Sequence, residues 1–398
     1  MSNTPRMPQS ILDQLDPEYR AFILSTDTPE SPCLNELQWS PALRQMGSTA
    51  DSGSRKPMDV GSKHTIQKTN YSVDITTPSG EIPSRGWPVV LYAHRGGWVF
   101  GNAAAEDSML SKLCVGLDDL WDALVWLSKE GERELGIDPT KIAIAGGSAG
   151  GNLAAAVAQR ASLSSPPIPL VYQALITPVI DASFSSDDRS RWTPSMIQYE
   201  HNWDPTVLEM LWFRDLYLPS VDDRYKPDAS PCLQENKSAF ENMPPTWISV
   251  AELDTLRSEG EMYAEKLQAH GVPVTLTVLR GKKRGLIAIL AGFTAWSLTI
   301  QDFRMLGSRL IGSMRRYVRY ANRYASITRS SQRLFGKHFL DAKIYPSNEQ
   351  HQPSSVNGTE TLHRLSLWVI FVTHKHYPET TSGCIWGYKK HANHVNRR

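Results

Sequence analysis

Along the first 281 residues, apolar positions recur with two different periods. Residues 73–76 and 89–93 read as strands, the second a continuous apolar run bounded by Pro88 and by the glycines that follow His94. Leu117, Trp121, Leu124 and Val125 fall at i, i+4, i+7 and i+8, the stripe of an amphipathic helix, and Gly131 marks its expected end. Lys141 leads into a strand at 142–145, a glycine-rich turn and a helix over about 149–162. Further apolar runs at 170–176, 247–250 and 274–279 alternate with helical stretches at 207–218 and 259–269. Strands separated in this way by helices predict an α/β domain, a mostly parallel sheet with helices on both faces.

The two ends differ from this middle. Residues 1–50 carry short apolar clusters at helical spacing (Ile11, Leu12 and Leu15, then Tyr19, Phe22, Ile23 and Leu24) separated by Pro and Ser, which predicts an N-terminal helical cap. Beyond Gly281 the periodicity weakens into Arg-rich and Ser-rich stretches, apart from apolar residues 365–372, and no internal repeat is present. The chain therefore reads as a cap segment at 1–50, an α/β domain at 51–281 and a basic, atypical region at 282–398.

Charge sharpens that division. Of 42 Lys and Arg and 41 Asp and Glu, 19 and 5 fall after Gly281, leaving 23 and 36 before it, and seven of the 11 histidines lie in the tail. A basic tail suggests an anionic partner, yet it holds no RNA-binding signature, zinc-finger spacing or basic-zipper heptad, which argues against nucleic acid. At 398 residues, 40% hydrophobic and 21% charged, the chain is long and apolar enough to fold on its own core. Cys33, Cys114, Cys232 and Cys384 are scattered without a CxxC, as expected of free thiols in a reducing compartment. The polar first ten residues lack the apolar stretch of a secretory signal, and the longest uncharged apolar run, 286–300, is too short to span a bilayer. The expected location is cytoplasmic, without a membrane partner.

Two motifs carry chemistry. Gly146-Gly147-Ser148-Ala149-Gly150 fits GxSxG between an expected strand and an expected helix, the context in which a serine is lifted onto a sharp turn as a nucleophile. His94-Arg95-Gly96-Gly97-Trp98, directly after a buried strand, resembles the HGGGW loop that supplies oxyanion donors; these would be the N–H groups of Gly96, Gly97 and Ala149. His94 would organise the loop rather than act as a base.

With Asp228-Ala-Ser-Pro231 and Ala251-Glu-Leu-Asp-Thr-Leu-Arg-Ser-Glu-Gly260 following in order, residues 11–281 resemble the hormone-sensitive-lipase branch of the α/β-hydrolases, especially its fungal esterases. The resemblance implies an α/β-hydrolase fold, Ser148 as nucleophile and Asp254 as the acid of a catalytic triad. Glu252 is the competing carboxylate and reads better as a surface acid.

Three departures from the family pattern stand out. Arg95 replaces the first of three loop glycines, and Gly147 replaces the usual acidic residue before the serine. Between Cys114 and Trp121 the chain leaves out what the family would supply as a further strand and loop, so the expected sheet lacks one central strand. Arg284 stands where the family has its histidine, and a guanidinium cannot take a proton from serine. A substitute base would have to come from His338, His351, His363, His374, His376, His391 or His394. His374 and His376 have no partner at metal-ligand spacing, so neither a metal nor a cofactor is assigned.

The reading that follows is a serine carboxylesterase for a small or medium acyl ester, with fungal secondary metabolism as its setting by analogy. The alternative from a different class is a catalytically impaired or inactive hydrolase-fold protein that binds an apolar ligand or a partner. A third reading is a binder of anionic surfaces through the basic tail.

Overall fold

The computed structural model describes residues 9–15, 17, 20, 33–40, 62–69, 71–77, 81–99, 116–201 and 205–281, together with the backbone of 368–374. Among the described residues the sheet has eight strands: β1 (Ser62–Gln67), β2 (Tyr71–Thr77), β3 (Trp87–Ala93), β4 (Ile137–Gly147), β5 (Tyr172–Ile176), β6 (Thr246–Ala251), β7 (Val274–Leu279) and β8 (Trp368–His374). Their order across the sheet is β1-β2-β8-β3-β4-β5-β6-β7. From β8 to β7 all neighbours are parallel, while β1 pairs antiparallel with β2 and β2 antiparallel with β8. Burial follows position. All six residues of β6 are buried, as a parallel strand covered on both faces requires, whereas edge strand β7 has none buried.

The longer helices among the described residues are α1 (Leu117–Leu135), α2 (Ala149–Leu163), α3 (Val207–Tyr217) and α4 (Arg257–Ala269). Of these, α1, α2 and α4 pack on this sheet, while α3 packs against the turn at Leu34–Glu36. The helix α1 does not end at Gly131, as its sequence suggests. It runs one turn further to Gly136, which takes the left-handed conformation (φ 66°) and donates its N–H to the Glu132 carbonyl. Gly131 has a packing role instead: a Cβ there would sit 2.6 Å from the Cδ1 of Ile137, a fully buried residue. Helix α2 carries Ala at six positions and is buried along nearly all of its length, which lets it lie close against β3, β4 and β5.

The sequence leads one to expect a missing central strand, and the structure shows how the sheet is completed. The slot between β2 and β3 is filled from the far end of the chain, by β8. Of the stretch between Cys114 and Trp121, where the family's strand is absent from the sequence, residues 116–121 are described and lead straight into α1, while Cys114 and Val115 lie outside the described residues, as does 286–300.

Of the N-terminal clusters, Ile11, Leu12 and Leu15 are buried against Tyr199 and Leu253, next to Asp254. The second cluster lies outside the described residues except for neighbouring Arg20. A further N-terminal piece is tied to α3, where the Leu34 N–H donates to Glu209 at 2.9 Å and Trp39 meets Trp212 edge-on at 6.5 Å.

The tightest approach in the fold lies between α2 and the end of β3. A Cβ on Gly150 would stand 2.1 Å from the Ala93 carbonyl oxygen and 2.2 Å from that of His94, both backbone atoms that cannot swing aside. Gly150→Ala is therefore expected to destabilise the protein by more than about 3 kcal/mol, beyond ordinary overpacking, as read from the midpoint of chemical denaturation. A loss under about 1 kcal/mol would show that the approach is looser.

Candidate active site

Ser148 is the residue between β4 and α2, and its backbone (φ 53°, ψ −118°) lies in a region that a non-glycine residue enters only under constraint. The constraint comes from three backbone hydrogen bonds. The Ser148 N–H donates to the Ile176 carbonyl at 2.9 Å, and the Ser148 carbonyl accepts from the N–H groups of Asn152 and Val179, each at 3.1 Å. Glycines make room for the reversal: a Cβ on Gly146 would meet the Gly150 carbonyl oxygen at 2.2 Å, and one on Gly151 would meet Pro178 at 2.8 Å. Ala149 opens α2, so its N–H has no intrahelical acceptor and points out of the helix N-terminus.

The loop after β3 lies alongside. Gly96 (φ 130°), Gly97 (φ 60°) and Trp98 (φ 59°) all have positive φ. Helix α3 packs against this loop. The Phe213 ring occupies the space where a Gly97 side chain would be, 2.6 Å from a Cβ, and Tyr217 stacks on Trp98 with centroids 5.3 Å apart and planes 1° from parallel. Aromatic residues at 213 and 217 are one helical turn apart and so legible as one face, but nothing in the pattern says that the face meets this loop.

His94 is buried, with Nδ1 hydrogen-bonded to the Arg95 carbonyl. Burial lowers its pKa from 6.5 to about 4; the hydrogen bond opposes that shift and the Arg95 charge reinforces it. A neutral ring held this way donates Nδ1–H to the carbonyl and fixes the loop, as expected of an organiser. Arg95 lies beside Gly147: a Cβ at 147 would be in ordinary van der Waals contact, 3.7 Å from the Arg95 Cβ and 3.5 Å from the Tyr92 hydroxyl. The two departures from the family pattern therefore meet in space.

Asp254 follows β6 and is buried, its Oδ1 accepting from the Leu256 N–H at 3.1 Å. Since β5 alone separates β4 from β6, Ser148 and Asp254 leave the same edge of the sheet about 10 Å apart laterally, at ~4.8 Å per strand. Glu252 is engaged elsewhere, accepting from Arg280 Nη1 at 3.1 Å and from the Gly281 N–H at 2.7 Å. It ties the end of β6 to the end of β7. Arg284 lies outside the described residues, and so do the tail histidines other than His374, whose backbone closes β8 at the edge from which the His94 and Ser148 turns emerge.

The Asp228-Ala-Ser-Pro231 motif clamps α2, the helix that follows Ser148. Asp228 takes two hydrogen bonds from Arg160 of α2, at 3.0 and 2.7 Å, and Arg160 also donates to Asp118 of α1 at 2.8 Å. Burial works against the Arg160 charge, but these carboxylates outweigh it and its pKa is raised. Asn152 donates to the Ala229 carbonyl at 2.8 Å, so the end of GGSAGGN grips the same segment. No group of three or more metal-ligating side chains occurs among the described residues, and no described helix is long and apolar enough to cross a membrane.

Comparison with known proteins agrees with this fold. A family model described as alpha/beta hydrolase fold matches residues 115–287. An AB hydrolase superfamily protein of Schizosaccharomyces pombe is 31% identical over 319 residues, 71% of this chain and 90% of that protein. The carboxylic ester hydrolase LipN of Mycobacterium tuberculosis is 31% identical over 246 residues, which span 54% of this chain and 63% of LipN. Among solved structures, a thermostable esterase from Pseudomonas putida superposes with a TM-score of 0.60 at 27% identity, covering 72% of this chain and 91% of that one.

The buried neutral His94 makes stability depend on pH. Its folded pKa is depressed, so its contribution is complete above about 6.5 and is lost as pH falls towards 4. Thermal melts should show Tm falling across that window more steeply in the wild type than in His94→Asn. Equal slopes would place His94 in contact with water.

The motifs, the strand order and the shared fold lead to one identification: this chain belongs to the α/β-hydrolase superfamily, in its hormone-sensitive-lipase-like branch.

Proposed function

We propose that the protein is a serine carboxylesterase acting on small or medium acyl esters. The observation that carries this is the backbone of Ser148, held at positive φ between a strand end and a helix N-terminus, beside a loop of positive-φ residues. In this reading Ser148 Oγ attacks the ester carbonyl and a new C–O bond forms. The N–H groups of Gly96, Gly97 and Ala149 hold the negative charge that develops on the carbonyl oxygen. The bond to the alcohol then breaks, the alcohol leaves with a proton, and water hydrolyses the acyl-serine to release the acid and restore the hydroxyl. Asp254 would orient the group that carries the proton.

The proton carrier separates this chain from its relatives. His94 is buried and committed to its loop, and His270 bonds to the Lys266 carbonyl and stacks on Phe240 at 4.1 Å. Arg284 occupies the family's histidine position in sequence and remains protonated. The reading is therefore an esterase with weak turnover that still depends on Ser148, because a serine hydroxyl with no assigned base is a poor nucleophile even when its oxyanion donors are in place. A wholly inactive protein is not favoured, since the turn at Ser148 is intact and the carboxylic ester hydrolase LipN is among the relatives. A cytoplasmic setting fits four scattered cysteines without a CxxC, and a role in fungal secondary metabolism belongs to the same proposal by analogy.

The test is hydrolysis of a short nitrophenyl ester across pH 5–9, bracketing an imidazole pKa of about 6.5. The wild type should turn over slowly, Ser148→Ala not at all, and Arg284→His faster than wild type with a rise near neutral pH. Undiminished turnover in Ser148→Ala would remove the nucleophile. Vigorous wild-type turnover with its own rise near neutral pH would mean that a tail histidine serves as the base.

A further inference from the structure

The slot between β2 and β3 lies in the middle of the sheet, yet it is filled by a segment that follows β7 by 88 residues. We propose that residues 368–374 are a donor strand: the tail of the same chain docks between β2 and β3, takes the place of the central strand that the sequence leaves out before α1, and holds β3 with the loop at its end.

The pairing is extensive on both sides. β8 meets β2 over six register positions, from Tyr71↔His374 to Thr76↔Val369, and β3 over four, from Val89↔Trp368 to Tyr92↔Phe371. Its neighbours are deep in the core: Val73, Val89 and Leu91 are 0% exposed and Ile75 1%. With β8 in place, the backbone N–H and C=O groups that β2 and β3 turn towards this slot are paired within the sheet, as buried backbone groups require. The sequence of the segment suits the position. Trp-Val-Ile-Phe-Val-Thr is an unbroken run of aromatic and β-branched residues, the composition of a strand covered on both faces, inside a tail otherwise rich in Arg and Ser.

The same chain can supply it. β7 and β8 are five strand spacings apart, about 24 Å at ~4.8 Å each, while an extended chain covers roughly 3.3 Å per residue and so crosses that distance in far fewer residues than the connection has. A second copy of the protein is not needed.

β3 connects this strand to the chemistry. One side of β3 pairs with β8 and the other with β4, and its last residue, Ala93, leads into His94-Arg95-Gly96-Gly97. The consequence for catalysis rests on the oxyanion role proposed above; the docking of the strand does not.

Disulfide trapping in the full-length chain tests the docking. Thr76 and Val369 are register partners, and directly opposed antiparallel residues have Cα atoms about 4.5 to 5.5 Å apart, within disulfide range. The double variant Thr76→Cys, Val369→Cys should form that bond on mild oxidation, in a band of monomer mass, with the linked peptides identified by mass spectrometry. The bond should form equally well when Ser148→Ala is added, which separates this proposal from the esterase reading. A dimer-mass band linking the same two positions would show that a second copy donates the strand, and absence of the linked peptides would show an undocked tail; either overturns the proposal. In a second full-length variant, Ile370→Pro, the proline cannot donate to the ladder of a central strand. Amides of residues 89–93 should lose protection from hydrogen exchange, and labelling of Ser148 by a fluorophosphonate should fall about 10²-fold, the scale of losing an oxyanion donor. Unchanged amide protection would also overturn it.

Discussion

A serine can stand clear of a sheet only if the chain reverses within one residue, and that reversal brings two backbones closer than side chains allow. Here the requirement is met at Gly146, Gly150 and Gly151, where added methyl groups would lie 2.1 to 2.8 Å from neighbouring atoms. The rest of the site depends on this approach. It sets the end of β3 against the first turn of α2, so the N–H of Ala149 and those of the Gly96–Gly97 loop leave neighbouring points of the sheet edge. It also aims the positive end of the α2 dipole at the same place. The Arg160–Asp228 pair and the Asn152 contact to Ala229 then hold α2 from its far side.

The departures from the family pattern at 95 and 147 lie side by side, within ordinary van der Waals contact of each other. The pair leaves the catalytic edge more positive than an Asp or Glu at 147 would. His94, pressed to the neutral form by burial and by Arg95, adds no charge at neutral pH. Glu252, which sequence offers as a rival to Asp254, is committed to Arg280 and the Gly281 amide, and that leaves Asp254 as the buried acid of the pair.

Most of the parallel half of the sheet was legible from period and punctuation, because strands such as 246–251 are short apolar runs bounded by helices of clear 3.6 periodicity. GxSxG and the glycine loop were equally legible, since backbone geometry is encoded by the residues that permit it. The end of α1 was not: Gly131 looks like a stop, but its missing side chain serves Ile137, a contact no local pattern reveals. β8 was not legible either. The apolar run at 365–372 stood out, but its partners β2 and β3 lie nearly 300 residues earlier, and local pattern carries no information about so distant a pairing. Aromatic residues Phe213 and Tyr217 were visible as one helical face without any sign of what that face supports.

In the proposed reaction the backbone amides of two separate turns converge on one oxygen of the reacting group. A crystal structure of the protein after reaction with a phosphonate ester, whose phosphonyl oxygen stands for the tetrahedral oxyanion, tests it directly. The expected adduct has phosphorus bonded to Ser148 Oγ and the phosphonyl oxygen about 2.7 to 3.1 Å from the N atoms of Ala149 and of Gly96 or Gly97. An adduct whose phosphonyl oxygen faces solvent or pairs only with Arg95, or a Ser148 that forms no adduct, would contradict it.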